Sequence, residues 1–199
     1  MGMKIGITAD VHLRSKEETP ERYRALENVL EQSRTEGAQQ VIISGDLFDA
    51  EIQNYSDFEA LAGQYEDLQI HVIPGNHDPG ISERSIVGDN IHVYDEPRVA
   101  ELGGVGFLFI PFAPGKTMMQ AISESGIQPT AGPWVLIGHG DYYGGVREPN
   151  PLEPGTYMPL TRTDVESLGA QTVFLGHIHK PGTWGPTSYV GSPCGLDIS

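Results

Sequence analysis

The stretch "TVFLGHIHKPG" (172–182) joins an apolar run to a glycine and then to two histidines one residue apart, His177 and His179. In an extended segment, residues i and i+2 point to the same side, about 6–7 Å apart along the chain. Two imidazoles aimed at one spot repel each other when protonated. They become useful where something wants two neutral nitrogen donors, and a metal ion is the obvious candidate. The same construction recurs four times. "KIGITADVH" (4–12) ends in Asp10 and His12 at the same i, i+2 spacing. "QVIISGDLFD" (40–49) supplies Asp46 and Asp49, "QIHVIPGNHD" (69–78) supplies Asn76, His77 and Asp78, and "WVLIGHG" (134–140) supplies His139. Runs this short and this apolar read as buried strands. Donors gathered at the C-terminal ends of sheet strands are what open α/β folds produce, because the loops there converge on one crevice. Five of the seven histidines lie in these junctions. The other two, His71 and His92, lie in strand-like runs and read as structural or surface residues.

Outward from these motifs, strands alternate with helices. "PERYRALENVLEQSRTEG" (20–37) places Tyr23, Leu26, Val29 and Leu30 on one helical face, with Pro20 at its start and Gly37 at its end. A weaker helix is expected over roughly 56–67 and a short one near 116–124. "IHVYD", "RVAEL" and "VGFLFI" read as three short strands between 91 and 110, and "TSYVG" (187–191) as a last one. The Gly- and Pro-rich segment 140–160 reads as a long loop. There are no internal repeats. The expected class is an α/β sandwich.

Composition bounds the function. The 199 residues suit one domain, 1–199, large enough for a real core. No apolar run is long enough to span a membrane, and the start "MGMKIGITAD" does not read as a signal peptide. The single cysteine, Cys194, leaves no internal disulfide and fits a reducing, cytoplasmic setting. In "GSPCG" it reads as a small packing residue. The net charge is −15, with no run of Lys and Arg that could form a nucleic-acid footprint. That counts against tight, unaided binding to long DNA, although bound divalent metals would reverse the sign locally.

Taken singly, each motif has an ordinary structural reading. An Asp after a strand caps a helix, and Gly, Asn and Asp in "GNHD" favour a turn. All five in this order, each behind an apolar strand, resemble the ordered signatures "DVH", "GDLFD", "GNHD", "GHG" and "GHIH" of the calcineurin-like metallophosphoesterases. The resemblance runs from Asp10 to about Ser192. Within that superfamily "GDLFDA", "FLGHIHKPG" and "YVGSP" are most similar to the SbcD-type DNA-repair exonucleases.

The resemblance implies a four-layer α-β-β-α sandwich holding two divalent metal ions, manganese first, with iron, zinc or cobalt as alternatives. It assigns Asp10, His12, Asp46 and His179 to one ion, and Asp46, Asn76, His139 and His177 to the other. The donors are nitrogen and oxygen with no thiolate, which suits these metals better than calcium. Two divalent ions against two carboxylates leave a positive surplus that attracts phosphate. Ions about 3.5–4 Å apart can hold a bridging hydroxide, with the water pKa lowered toward ~7. His77 matches the family's histidine that protonates the leaving oxygen, and Asp49 the carboxylate that pairs with it. The alternative for Asp49 is a helix-start cap. Asp78 reads as a turn-stabilising residue.

The expected activity is metal-dependent phosphodiester hydrolysis of nuclease type. The alternatives are a small-molecule phosphodiesterase or phosphatase acting on nucleotide-like substrates, and a non-catalytic scaffold. Retention of His77 and all seven ligands argues against the scaffold. Ala50 and Pro79 stand where phosphoprotein phosphatases carry arginines, which argues against a protein phosphatase. SbcD-type nucleases continue into a DNA-contacting cap and a segment that binds an ATPase partner. This chain has no cap domain in its 199 residues, so an ATPase partner is expected only of a longer form. Candidate substrate contacts are Arg14, Lys180 and the loop residues Tyr142, Tyr143 and Arg147, with Tyr157 nearby. The tyrosines either stack on bases or anchor the loop from beneath.

Overall fold

In "QVIIS", Val41 and Ile43 face one hydrophobic cluster and Ile42 another, and all three are fully buried. A strand buried on both faces needs a layer on each side, and that requirement organises the chain. The computed structural model describes residues 2–49, 55–128, 132–144 and 155–195. Its elements are β1 (Ile5–Thr8), α1 (Pro20–Thr35), β2 (Gln40–Ser44), α2 (Ser56–Ala62), β3 (Gln69–Ile73), β4 (Ile91–Val93), β5 (Arg98–Leu102) and β6 (Val105–Ile110). They continue with α3 (Met118–Ser125), β7 (Trp134–His139), β8 (Tyr142–Tyr143), β9 (Leu160–Thr161), α4 (Arg162–Leu168), β10 (Thr172–Gly176), β11 (Gly182–Trp184) and β12 (Thr187–Tyr189).

The first sheet is parallel throughout, in the order β1-β2-β3-β4. The second is mixed, in the order β11-β12-β10-β7-β6-β5, with β11 and β5 antiparallel to their neighbours. The two sheets face each other across Ile42, Ile73, Tyr94, Phe107, Phe109, Val135 and Ile137. Outside the first sheet lie α1 and α2, whose Tyr23, Leu26, Leu30 and Phe58 meet Val41, Ile43, Ile70 and Val72. Outside the second lie α3 and α4, whose Met118, Ile122 and Val165 meet Leu108, Leu136, Val173 and Leu175. The four layers are therefore α-β-β-α, as the resemblance implies. The central strands β2, β3, β6, β7 and β10 alternate between an outer core and the shared inner one, so burying a single Leu, Ile or Phe, at about 1.5–3 kcal/mol, ties two layers together.

The helices differ from expectation in detail. The first ends at Thr35, with Gly37 in a left-handed turn just beyond. The segment expected as one helix over 56–67 is α2 followed by a 3-10 turn at Gly63–Tyr65. The segment 140–160 is not all loop: Tyr142 and Tyr143 pair in parallel with Leu160 and Thr161. The helix α4 and the edge strand β11 were not anticipated. The first has a capping box, in which the Thr161 hydroxyl accepts from Asp164 N–H and the Asp164 carboxylate reaches back to the Thr161 N–H, with Gly169 left-handed at its end. Among the described residues no helix is long and apolar enough to cross a membrane.

Candidate metal centre

The two sheets are pinned at the edge where the motifs converge. The Ser44 hydroxyl at the end of β2 donates to the Gly138 carbonyl of β7 at 2.7 Å. The Ser44 carbonyl lies 2.9 Å from His139 Nδ1. A carbonyl only accepts, so Nδ1 carries a proton there and Nε2 is the nitrogen offered to the crevice. That Nε2 faces Asn76 Oδ1 at 2.9 Å and Asp46 Oδ2 at 3.3 Å. His177 Nδ1 approaches the same Asn76 oxygen, also at 2.9 Å. On the other side of Asp46, His12 Nε2 lies 3.7 Å from Oδ2 and 3.2 Å from His179 Nε2.

All seven donors read from the sequence are thus brought together. Asp10, His12 and His179 form one cluster whose ligand atoms lie within 4.8 Å of one another, and Asp46, His139 and His177 form another. Asn76 Oδ1 faces both histidines of the second at 2.9 Å. His12, Asp46 and His77 form a third cluster of the same tightness, so His77 lies among the same donors.

The donor set fits cations. Lone pairs converge at short range: His139 Nε2 on two oxygens, and His12 Nε2 on His179 Nε2. In the metal-free protein His139 needs a second proton and His12 and His179 need complementary tautomers to relieve these contacts, whereas a cation between them satisfies every donor at once. Burial sharpens the conflict, since Asp10 and His139 are fully buried and Asp46 nearly so. Burial pushes the Asp10 carboxyl up to about 6 despite the opposing pull of His139. Burial also pushes His12 down to about 4, which keeps it a neutral donor near neutral pH. For Asp46 burial acts upward, but the facing His139 more than reverses it and holds the carboxylate ionised. His139 shows the mirror image, pulled down by burial and raised by Asp46.

The backbone is strained at these positions. Asp10, His12, Asp46 and His177 all have positive φ, at 54°, 52°, 50° and 93°. Non-glycine residues hold such conformations at a cost of order 1–3 kcal/mol each, when the surroundings over-determine them. The ties are visible: Asp10 N–H donates to the Gly45 carbonyl, His12 N–H to the Asp46 carbonyl, His177 N–H to the Asp10 carboxylate at 2.9 Å and His77 N–H to Asp46 Oδ1 at 2.8 Å. Small residues before the donors make room for them. A Cβ on Gly45, itself at φ +87°, would lie 2.1 Å from His139 Nδ1, and one on Gly75 would lie 2.1 Å from Asp46 Oδ1.

Beside the clusters, His77 turns Nδ1 toward Asp49 Oδ1 at 3.7 Å, with its side chain 30% exposed. Asp49 is also held by Arg14, whose Nε donates to Oδ2 at 3.0 Å, and by Arg22, 3.5 Å from the same oxygen. Arg22 additionally donates to the His12 carbonyl. The Asp49 carboxylate is thus engaged by two guanidiniums and faces His77. Asp78 is buried and ties two motifs, accepting from Gly75 N–H at 2.6 Å and Phe48 N–H at 3.0 Å, which is the turn-stabilising place read for it.

The substrate candidates scatter. Arg14 spends its Nε on Asp49, the carboxylate that faces His77, and Lys180 is exposed next to His179. Tyr143 is 49% exposed, with its hydroxyl 3.4 Å from that of Thr156. Tyr142 is corrected: it is 4% exposed inside the outer core against α3 and α4, so its ring has no face for a base and serves as a loop anchor. Arg147 lies outside the described residues. Three residues near the donors were missed. Arg22 belongs to no motif and stands in the first turn of the amphipathic helix α1, where nothing in the sequence distinguishes it. Phe112 sets its ring edge-on to His139 at 6.5 Å. Asp141 is fully buried with Oδ1 3.5 Å from His177 Nε2, and its place directly after "GHG" was the one available signal.

A family model described as calcineurin-like phosphoesterase matches residues 3–181. The SbcD component of the nuclease SbcCD from Staphylococcus saprophyticus is 25% identical over an alignment covering 90% of this chain and 57% of that protein, so the chain spans a little over half the relative's length. Among solved structures, TT1561 of Thermus thermophilus superposes with a TM-score of 0.58 at 12% identity, covering 97% of this chain and 91% of that one. The Pseudomonas putida nuclease MPE matches at a TM-score of 0.39 and 21% identity, covering 87% of this chain and 60% of that one.

Proposed function

This chain belongs to the calcineurin-like phosphoesterase family, and from that premise we propose that it is a two-metal phosphodiesterase of nuclease type. The observation that carries the reading is the position of Asp46. Its carboxylate lies between His12 on one side and His139 on the other, at 3.7 and 3.3 Å, so one side chain serves both donor clusters. Asp10, His12 and His179 would complete one site, and Asn76, His139 and His177 the other.

When bound, the two ions supply an activated water and neutralise the phosphate oxygens. The chain's own groups do the rest. His77 would deliver a proton to the leaving oxygen as its bond to phosphorus breaks, in balance with the proton that the attacking water gives up to solvent. Asp49 faces its Nδ1 and orients the ring. Because Arg14 and Arg22 engage Asp49, its charge is largely answered, and its part is alignment rather than proton uptake. The buried ligands keep bulk water from competing for the donors.

DNA as substrate draws support from the likeness to the SbcD component of SbcCD, a nuclease by name. The net charge of −15 favours a second reading, a small nucleotide-like diester, because it repels an extended polyanion. A manganese-supplemented assay comparing single-stranded DNA, duplex DNA and a chromogenic phosphodiester separates the two. Turnover of DNA above that of the chromogenic diester supports the nuclease, and turnover of the small diester alone supports the second reading. No turnover of any of the three by a protein that binds manganese would count against both.

A further inference from the structure

Asp141 touches a metal-ligand candidate and a distant part of the chain at once. One carboxylate oxygen, Oδ1, lies 3.5 Å from His177 Nε2. The other, Oδ2, accepts the Tyr157 N–H at 2.9 Å. Its backbone repeats the tie, its N–H donating to the Tyr157 carbonyl at 2.7 Å and its carbonyl accepting from Leu160 N–H at 2.8 Å. The Tyr157 ring then sits against the His177 imidazole, 4.8 Å between centroids and tilted by 45°. The His177 imidazole thus has the buried Asp141 carboxylate on one side, in ion-pair range and without a formed hydrogen bond between them, and the Tyr157 ring on another, while its Nδ1 faces Asn76 Oδ1 in the crevice.

We propose that Asp141 is a positioning residue that fixes the tautomer of His177, keeping the proton on Nε2 and offering the Nδ1 lone pair to a metal ion, while the same carboxylate latches Tyr157 against the ring. The inference rests on the two-metal reading above. A carboxylate can only accept, so an imidazole facing it places its N–H on that side. A partner of this kind orients a ligating histidine and raises its basicity, and its loss typically costs 10–100-fold in metal affinity.

Asp141→Asn is a sharp probe because it keeps the shape. The amide oxygen must stay on the Tyr157 N–H, the only one of its two polar atoms able to accept. Its NH2 then faces His177 Nε2 and favours a proton on Nδ1, the nitrogen meant for the metal. Manganese titration of the metal-free proteins should show wild type taking up two ions and Asp141→Asn losing about 10–100-fold in affinity for one of them, with little change in the melting temperature of the metal-free form. In metal-free wild type, 15N chemical shifts of His177 should report the Nε2–H tautomer. Wild-type affinity and stoichiometry in the variant, or an Nδ1–H tautomer in the wild type, would overturn the role. Should the variant fail to fold, the tautomer of the wild-type protein decides alone. Failure of the wild type to bind manganese would instead overturn the metal reading, and the tautomer would still judge Asp141.

Discussion

The backbone carbonyl of Ser44 and the Nδ1 of His139 meet at 2.9 Å across the junction of the two sheets. A residue of the first sheet thereby sets the tautomer of a donor on the second, and the Ser44 hydroxyl bonds the Gly138 carbonyl immediately before that donor. The sandwich and the site are therefore one construction. Ser44→Ala keeps the carbonyl and removes only the hydroxyl, leaving a buried carbonyl short of a donor at a cost of about 1–3 kcal/mol. The expected outcome is a melting temperature lower by roughly 2–10 °C, with metal stoichiometry unchanged. A drop in bound metal under saturating manganese would show that the hydroxyl matters to the donor as well as to the sheets.

Asp46 and His12 should differ in kind. Asp46→Asn removes charge from the oxygen facing both clusters, so occupancy at both positions should fall. His12→Ala should empty mainly one. Elemental analysis of both variants after equilibration with manganese checks this. Equal losses in the two, or a single ion in a fully loaded wild type, would remove Asp46 from its bridging place.

The part given to His77 is separable from binding, although His12, Asp46 and His77 are tight enough to be a ligand cluster. His77→Ala should leave metal content and melting temperature near wild type and slow turnover by about 10²–10⁴. The loss should shrink on a nitrophenyl diester, whose leaving group hardly needs a proton. Asp49→Asn should give a smaller defect on the same substrates, since it loosens the ring without removing it. Loss of an ion from His77→Ala would make the residue a ligand.

Most of this architecture was legible because its signals are local. Each donor closes its own strand or follows it within four residues, so "ADVH", "GDLFD", "GNHD", "GHG" and "GHIH" located the crevice without any knowledge of pairing. The strand "QVIIS" carries no period-two pattern, and the reason is now plain: Val41 and Ile43 pack into one core and Ile42 into the other, so all three are buried. What was illegible depends on partners far along the chain. Asp141 acquires its place from Tyr157, and Arg22 from Asp49. Tyr142 looked like a loop aromatic, yet its N–H donates to the Tyr189 hydroxyl at 2.7 Å and its ring fills the outer core. The helix α4 is a different failure. Its Thr161-x-x-Asp164 box was present in the sequence, but its seven residues carry one buried apolar side chain, Val165, and so no visible stripe.

His71 provides a test of stability away from the donors. It lies in the inner core between the sheets, 4% exposed, with Nδ1 2.9 Å from the Tyr94 hydroxyl and Nε2 2.6 Å from Gln40 Oε1. Phe109 stacks on it from the second sheet at 6.0 Å, and His92 stacks beside it at 5.0 Å. Its two ring nitrogens thus face a hydroxyl and an amide oxygen, neither of which carries the charge that would hold a second proton. Burial, and to a lesser degree His92, pushes His71 down to about 4. The unfolded chain takes up this proton near pH 6.5, so above that pH the neutral ring costs nothing. As pH falls from about 6.5 to about 4 the unfolded state binds more protons than the folded one, and stability declines; below about 4 both bind it and the slope flattens. The full effect is on the order of 3 kcal/mol. Urea unfolding of the metal-free protein at pH 7, 5.5 and 4.5 measures it, against His71→Gln to subtract the titration of Asp10 and His12. The variant should start less stable, having loosened the bonds to Tyr94 and Gln40, yet lose less on acidification. Parallel losses in the two proteins would show that His71 is not the buried proton acceptor and that the acid sensitivity belongs to the donor clusters alone.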